Sequence, residues 1–209
     1  AEAAFGGFEG GAKVLMELNN TNQTFNVTGV FGTVNLDAVD APYIRLQLSL
    51  NVSFPGVEME GDFGFSGSSS TGRTVIVGNN LRIFLGNNSG ENKVGLQLVN
   101  GRAALIQEGD GDGALRAGFV EGDVSLIGVS GLSMSARMTL RVNQFAYTVS
   151  ETFTMGGVES SIIFTDQEIA ADDSTPFMLF VGQDIGMGIG DFATLKGDFG
   201  FRKQGDDLL

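Results

Sequence analysis

The chain contains no cysteine, no histidine and no tryptophan, and only three prolines. Without cysteine there are no disulfides, no thiolate metal sites and no thiol nucleophile. Without histidine the commonest general base is gone, and with it the usual Ser/His and Cys/His constellations. A carboxylate pair of the glycosidase kind remains open in principle. However, no carboxylates fall beside a recognisable aromatic cleft, and the tryptophan that sugar sites favour is missing. The expectation is a protein that is not an enzyme and has no catalytic residues. Basic residues are also scarce: 12 Lys and Arg face 25 Asp and Glu, for a net charge of −13. Such a chain is a poor ligand for a phosphate backbone, so no nucleic-acid partner is expected. The acidic balance suits solubility and divalent cations. No apolar run approaches the length of a membrane span, and the expectation is a chain that does not span one. No signal peptide opens the sequence, which places any export signal outside this chain or among removed residues.

What is present is glycine (32 residues), phenylalanine (17) and a 42% hydrophobic content, enough for a buried core. The apolar residues alternate with period two, as in Lys13-Val14-Leu15-Met16-Glu17-Leu18, Tyr43 to Val52 and Arg137 to Val142. That is the pattern of strands with one wet face. Gly, Asn and Asp clusters at 78–80, 86–90, 100–101 and 108–113 read as turns. Asn100-Gly101 in particular predicts a type I′ hairpin joining 94–99 to 102–107. The whole chain reads as all-β, with strands of about 5–10 residues.

Gly-Asp-Phe-Gly-Phe occurs twice, at 61–65 and 197–201. Matching blocks precede both copies in the same order. Ala12–Asn19 pairs with Ala136–Asn143, and Gln23–Val27 with Glu151–Met155. Ala41-Pro42-Tyr43 pairs with Thr175-Pro176-Phe177, each behind an acidic loop. The offset is 124 residues at Asn19 and Asn143, and 136 at Gly61 and Gly197. The expected organisation is a repeat of roughly 125–135 residues. Residues 1–65 are then the C-terminal half of one unit and 66–209 a complete unit, with a first half at 66–128, a second half at 129–201 and a tail at 202–209. A chain that starts in mid-unit suggests a piece of a longer array or a specialised terminal unit. An internal duplication inside one closed domain is the alternative.

The succession Asn-Leu-Arg-Ile-Phe-Leu-Gly (80–86), Val-Gly-Leu-Gln-Leu-Val-Asn-Gly (94–101), the block at 124–135, Leu-Arg-Val-Asn (140–143), Glu-Thr-Phe (151–153), Pro-Phe (176–177) and Gly-Asp-Phe-Gly-Phe (197–201) resembles the long β-rich repeats of giant bacterial cell-surface or secreted proteins. Those chains are often described only as large repetitive or calcium-binding-like proteins. The resemblance covers about residues 5–201. It departs at Ser130, where Pro would be usual, and at Ile189-Gly190-Asp191. It implies an extracellular, structural or adhesive role and supplies no catalytic residue.

Several residues invite a sharper reading. Glu108, Asp110 and Asp112 alternate with glycine and offer oxygen ligands for calcium, although the loop lacks the bidentate Glu that closes an EF-hand. Against that stands a plain solvated Gly-Asp turn. The acidic loops Asp37/Asp40 and Asp172/Asp173 are candidates for calcium between units, or polar loops that keep a strand end soluble. Phe63 and Phe65 alternate and are expected to fill the core, with Asp62 and Asp198 on the opposite face or bonding a turn. Gly186-Met187-Gly188-Ile189-Gly190 lacks the helix that a nucleotide loop needs and reads as a glycine-rich strand or bulge. Asn19, Asn22, Asn26, Asn51 and Asn87 open N-glycosylation sequons.

The expected architecture is an elongated repeat of antiparallel strands, either stacked sandwich-like units or a solenoid-like twisted sheet. The expected partners are neighbouring repeat units or further copies of the chain, and cell-surface or matrix contacts. Three functions follow from this: a structural or adhesive module of a giant surface protein; a subunit of a filament or surface layer in which the strand at 13–18 completes a neighbour's sheet; and a β module that binds glycans or apolar ligands along an exposed sheet face.

Overall fold

The computed structural model describes every residue except 1, 6–7, 22, 30–31, 37–42, 69–71, 89–91, 110–112, 156–157, 172–174, 205–206 and 209. The strands are β1 (Glu2–Phe5), β2 (Phe8–Asn19), β3 (Phe25–Gly29), β4 (Gly32–Leu36), β5 (Tyr43–Phe54), β6 (Val57–Ser68), β7 (Arg73–Asn87), β8 (Val94–Glu108), β9 (Leu115–Ile127), β10 (Leu132–Asn143), β11 (Val149–Met155), β12 (Val158–Phe164), β13 (Phe177–Ile189), β14 (Ala193–Gln204) and β15 (Asp207–Leu208). There is no α-helix among the described residues. Eleven strands form one antiparallel sheet in the order β1-β2-β5-β6-β7-β8-β9-β10-β13-β14-β15. The expected all-β class holds, and the strands run on as one sheet instead of stacking as two. β3–β4 and β11–β12 are hairpins outside that sheet.

The strands are longer than the sequence predicts. β7 and β8 each run for 15 residues, straight through two of the expected turns. Asn100 does adopt the left-handed φ (53°) that a type I′ turn needs. Yet Val99 pairs with Asp123 and Arg102 with Glu121, so Asn100 and Gly101 together face the single residue Gly122. This is a β-bulge, not a hairpin. Asn80 (φ 53°) makes a second bulge against β6, and Asp184 (φ 52°) a third against β14. An Asn that tolerates positive φ serves a turn and a bulge equally well. Neighbouring strands on both sides decide which one forms.

Sequence blocks that match also occupy corresponding strands. Ala12–Asn19 lies in β2 and Ala136–Asn143 in β10. Tyr43 opens β5 and Phe177 opens β13. The two Gly-Asp-Phe-Gly-Phe copies lie in β6 and β14. In each set a hairpin leaves the sheet between the first and second of these strands. The expected boundary at 65/66 falls inside β6, whereas 128/129 falls in the turn between β9 and β10. β6 pairs with β7 along its length, so the sheet is uninterrupted across the first boundary.

One face of the sheet is covered by the β11–β12 hairpin. Register puts Val75, Ile106, Ala117, Asn143 and Phe177 in one row on that face, and Val77, Ala104, Phe119, Arg141 and Leu179 in the next. Phe145, Val149, Ile162 and Phe164 come down on these rows from the hairpin and the segment leading to it. The nine buried residues of this cluster form the core, with Phe145, Phe164 and Phe177 all but inaccessible. Polar links hold the hairpin in place. Asn79 Nδ2 donates to Ser160 Oγ at 3.1 Å, and Arg141 donates to Glu168 at 2.8 Å while lying 4.5 Å over the Phe164 ring.

Candidate functional site

The other face of the same sheet is apolar and open. One row across it reads Phe63, Gly78, Ala103, Val120, Leu140, Phe180, Phe201. Another reads Val57, Leu85, Leu96, Leu126, Met134, Met187, Leu195. Leu85 is 51% exposed, Val120 41%, Phe199 49% and Leu195 66%. Over the eight strands from β5 to β14 in the sheet order, at about 4.8 Å per strand and about 3.3 Å per residue, the face spans on the order of 1,500 Å². Monomeric surfaces rarely carry an apolar patch above ~600 Å². Small residues at Gly78, Ala103 and Gly118 sink a groove of about 450 Å³ into the face, walled by Phe63, Ile76, Val120 and Leu140.

This placement corrects the expectation for Phe63 and Phe65. They do share a face, but it is the open one, opposite the core. Phe63 and Phe65 are half-buried, while their counterparts Phe199 and Phe201 are exposed. The aspartates beside them bond bulges. Asp62 accepts hydrogen bonds from Ser49 Oγ (2.6 Å) and from Nδ2 of the bulge residue Asn80 (3.0 Å). These two donors hold the Asp62 carboxyl below its ordinary pKa. Asp198 accepts from the backbone N–H of the bulge residue Asp184 at 2.7 Å. Asp123 does the same work for Asn100, whose Nδ2 donates at 2.8 Å. The glycine-rich run at 186–190 is, as the sequence predicts, the end of a strand, just past that third bulge.

Glu108 belongs to a polar cluster on the covered side. Arg73 Nε donates to its Oε1 at 2.7 Å and the Tyr147 hydroxyl to its Oε2 at 2.7 Å, while Arg73 also pairs with Glu151. Burial pushes the Glu108 carboxyl up, but the hydrogen bonds from Tyr147 and Arg73 and the Arg73 charge outweigh it and leave the pKa lowered. Burial and the bond to Glu108 raise the Tyr147 hydroxyl. Both Glu108 oxygens are thus engaged by protein donors. Asp110, Asp112, Asp37, Asp40, Asp172 and Asp173 lie outside the described residues. Among the described residues no three acidic side chains gather as a metal site.

Of the sequon asparagines, Asn19 is 3% exposed and bonded on both sides of its amide, so the fold closes it to a glycosyl carrier. Asn51 and Asn87 are exposed. Asn22 lies outside the described residues, and Asn26 lies in β3.

Among the described residues the sheet has two open edges. β1 pairs with residues 8–11 of β2 only, and β15 with Lys203 and Gln204 of β14 only. The candidate functional surfaces are therefore a broad apolar face and, among the described residues, two open strand edges. Sequence reasoning predicted edges that need cover. It also offered an exposed sheet face as a ligand surface, but alternation marks only the apolar half of each strand and did not say which face stays open. Comparison with protein-family models, with curated proteins and with solved structures finds no match for this chain.

Proposed function

We propose that the chain is a structural or adhesive module of a large extracellular or cell-surface protein, in which one sheet continues from unit to unit. The observation that carries this reading is the correspondence of β2–β6 with β10–β14. The two sets match in strand order, in the position of the excursion hairpin, in the buried asparagine that ends the first strand (Asn19, Asn143) and in an aspartate bonded to a bulge residue of an adjacent strand, on the outer side at Asp62 and the inner side at Asp198. In the sheet order, β10 lies six positions on from its counterpart β2, with five strands between them. A sheet that repeats every six strands has no intrinsic end, so its natural activity is length, stiffness and display. Sequencing the parent reading frame tests this. Further units are expected, with Pro-aromatic and Gly-Asp-Phe-Gly-Phe markers recurring at about 125–135 residues. A frame that encodes this chain alone removes the reading in favour of a filament or surface-layer subunit.

The open face favours a second reading, a module for apolar ligands. Val120 and Leu140 line the apolar groove of about 450 Å³, a volume in the range of small-ligand sites. A fluorescent fatty-acid analogue is expected to bind the intact chain saturably, and Leu140→Glu with Val120→Glu to abolish that binding without unfolding the sheet. Binding that survives both charges rules this reading out.

A further inference from the structure

β14 has a long edge with almost nothing on it, and β6 shows what such an edge is built to receive. The outer side of β6 is filled by β7, from Val57 opposite Leu85 to Ser68 opposite Arg73. On β14 the same side is bare from Ala193 to Arg202 among the described residues. Three devices by which β6 holds β7 recur on β14 and are unfilled there. The first is the aspartate. Asp62 uses Oδ1 for Ser49 on the inner side and Oδ2 for Asn80 of β7 on the outer side. Asp198 uses Oδ1 for the inner strand, through the Asp184 N–H, and no described residue bonds its Oδ2. The second is the glycine before it. At Gly61 a Cβ would sit 2.6 Å from Leu81 Cδ2, because Leu81 of β7 fills the space left there. At Gly197 a Cβ would meet nothing within 4 Å, so the matching slot is vacant. The third is the phenylalanine pair. Phe199 and Phe201 are 49% and 41% exposed, whereas Phe63 and Phe65 are half-buried beside β7.

We propose that the outer edge of β14 is a docking site for one extended, antiparallel segment of the β7 type, supplied by a neighbouring unit. The segment carries an asparagine in the left-handed conformation, whose amide bonds Asp198 Oδ2, followed by a leucine that seats over Gly197. One difference from β6 sharpens the partner. Glu60 stands opposite Arg82, but its counterpart on β14 is Lys196. The docking segment therefore carries an acidic residue where β7 carries Arg82, giving the order Asn-Leu-acidic. A folded second copy does not supply it, since its own β7 is paired on both sides. Main-chain hydrogen bonds provide the affinity, and these three side chains provide the register. The site also explains how a long, flat edge escapes indiscriminate pairing: it is a reserved position in a continuing sheet.

This inference rests on the repeat-module reading for the source of the segment, and its test is independent of that reading. A fluorescent peptide of residues 73–87 with Arg82→Glu is titrated into the intact chain, and amide exchange is followed in parallel. Saturable one-to-one binding is expected, with slowed exchange confined to 193–202. The unaltered peptide, which sets Arg82 against Lys196, is expected to bind about fivefold more weakly. Asn80→Ala in the peptide should cost about tenfold or more, as the loss of a charge-assisted bond does. Asp198 also pins the β13 bulge, so the decisive protein variant is Lys196→Glu, which is expected to reverse the preference between the two peptides. Binding indifferent to this swap, protection elsewhere than β14, or dimerisation of the free chain through β14 would each overturn the proposal. If the peptide fails to bind while the parent frame encodes further units, docking falls and the module reading stands. If it binds while the frame encodes a single unit, the reverse holds.

Discussion

Phe145→Ala is expected to lower stability by about 3–5 kcal/mol, the range for emptying a buried phenylalanine site. Phe145 is fully buried, packs with Phe164, Ile162 and Phe177 in the core, and stacks on Tyr147 at 5.1 Å between ring centroids. Its carbonyl also accepts the Ala170 N–H at 2.9 Å, which ties the two chain segments flanking the hairpin together. The core is built from one sheet face and one hairpin, so few other contacts are available to absorb the cavity. For a chain of this size the loss corresponds to a melting shift of roughly 10 °C. Amide exchange should localise the effect to β11–β12 while β5–β6 keeps its protection. Phe199→Ala is the matched control. That ring is half-exposed on the open face, and its removal should cost under about 1 kcal/mol. Urea unfolding of both variants decides the point, and equal losses would mean that the core lies elsewhere.

Asn143→Ala is expected to cost about 2–4 kcal/mol. Asn143 is fully buried at the end of β10, where the chain leaves the sheet for the hairpin. Its Nδ2 donates to the Glu168 carbonyl at 2.8 Å and its Oδ1 accepts from the Phe145 N–H at 2.9 Å. Truncation strands the Phe145 N–H in a site that water does not reach and removes the partner of the half-buried Glu168 carbonyl. Asn19 makes the same pair of bonds at the end of β2, to the Gln23 carbonyl (3.0 Å) and from the Thr21 N–H (2.9 Å). There Thr21 and Gln23 are exposed, and water replaces the lost amide. Asn19→Ala should therefore cost about 1 kcal/mol or less. Chemical denaturation of the two variants measures the difference. A larger loss at Asn19 than at Asn143 would show that burial does not set the cost of this latch.

Much of the fold was legible in the chain, and for a clear reason. Period-two alternation and turn-forming clusters are local properties, and they predict strands wherever they occur. The matching blocks at 12–19 and 136–143, and the two Gly-Asp-Phe-Gly-Phe copies, fall on corresponding strands because the same local pattern folds the same way twice. Local pattern failed where two structures share one backbone requirement. Asn100-Gly101 satisfies a hairpin turn and a bulge alike, and only the flanking strands β7 and β9 select the bulge. It failed again for Phe63 and Phe65. Alternation states that they share a face, which register shows to be that of Leu46 and Leu48, but not which face the hairpin will cover. Phe145 and Phe164, which do close the core, stand in segments with no strong motif. Their place in the core depends on the excursion after β10 folding back over β7, β8 and β9.

By itself, then, the amino-acid order determined an all-β chain of antiparallel strands, an acidic surface without thiol or imidazole chemistry, and a repeated succession of blocks. These follow from residue type and spacing, which act over a few positions. The tertiary structure alone decided that the strands join as one sheet, that one face is buried and the other left open, and that Asp62 has a strand on its outer side while, among the described residues, Asp198 has none. Those outcomes depend on which segments far apart in the chain come to lie side by side, and no local spacing encodes that pairing.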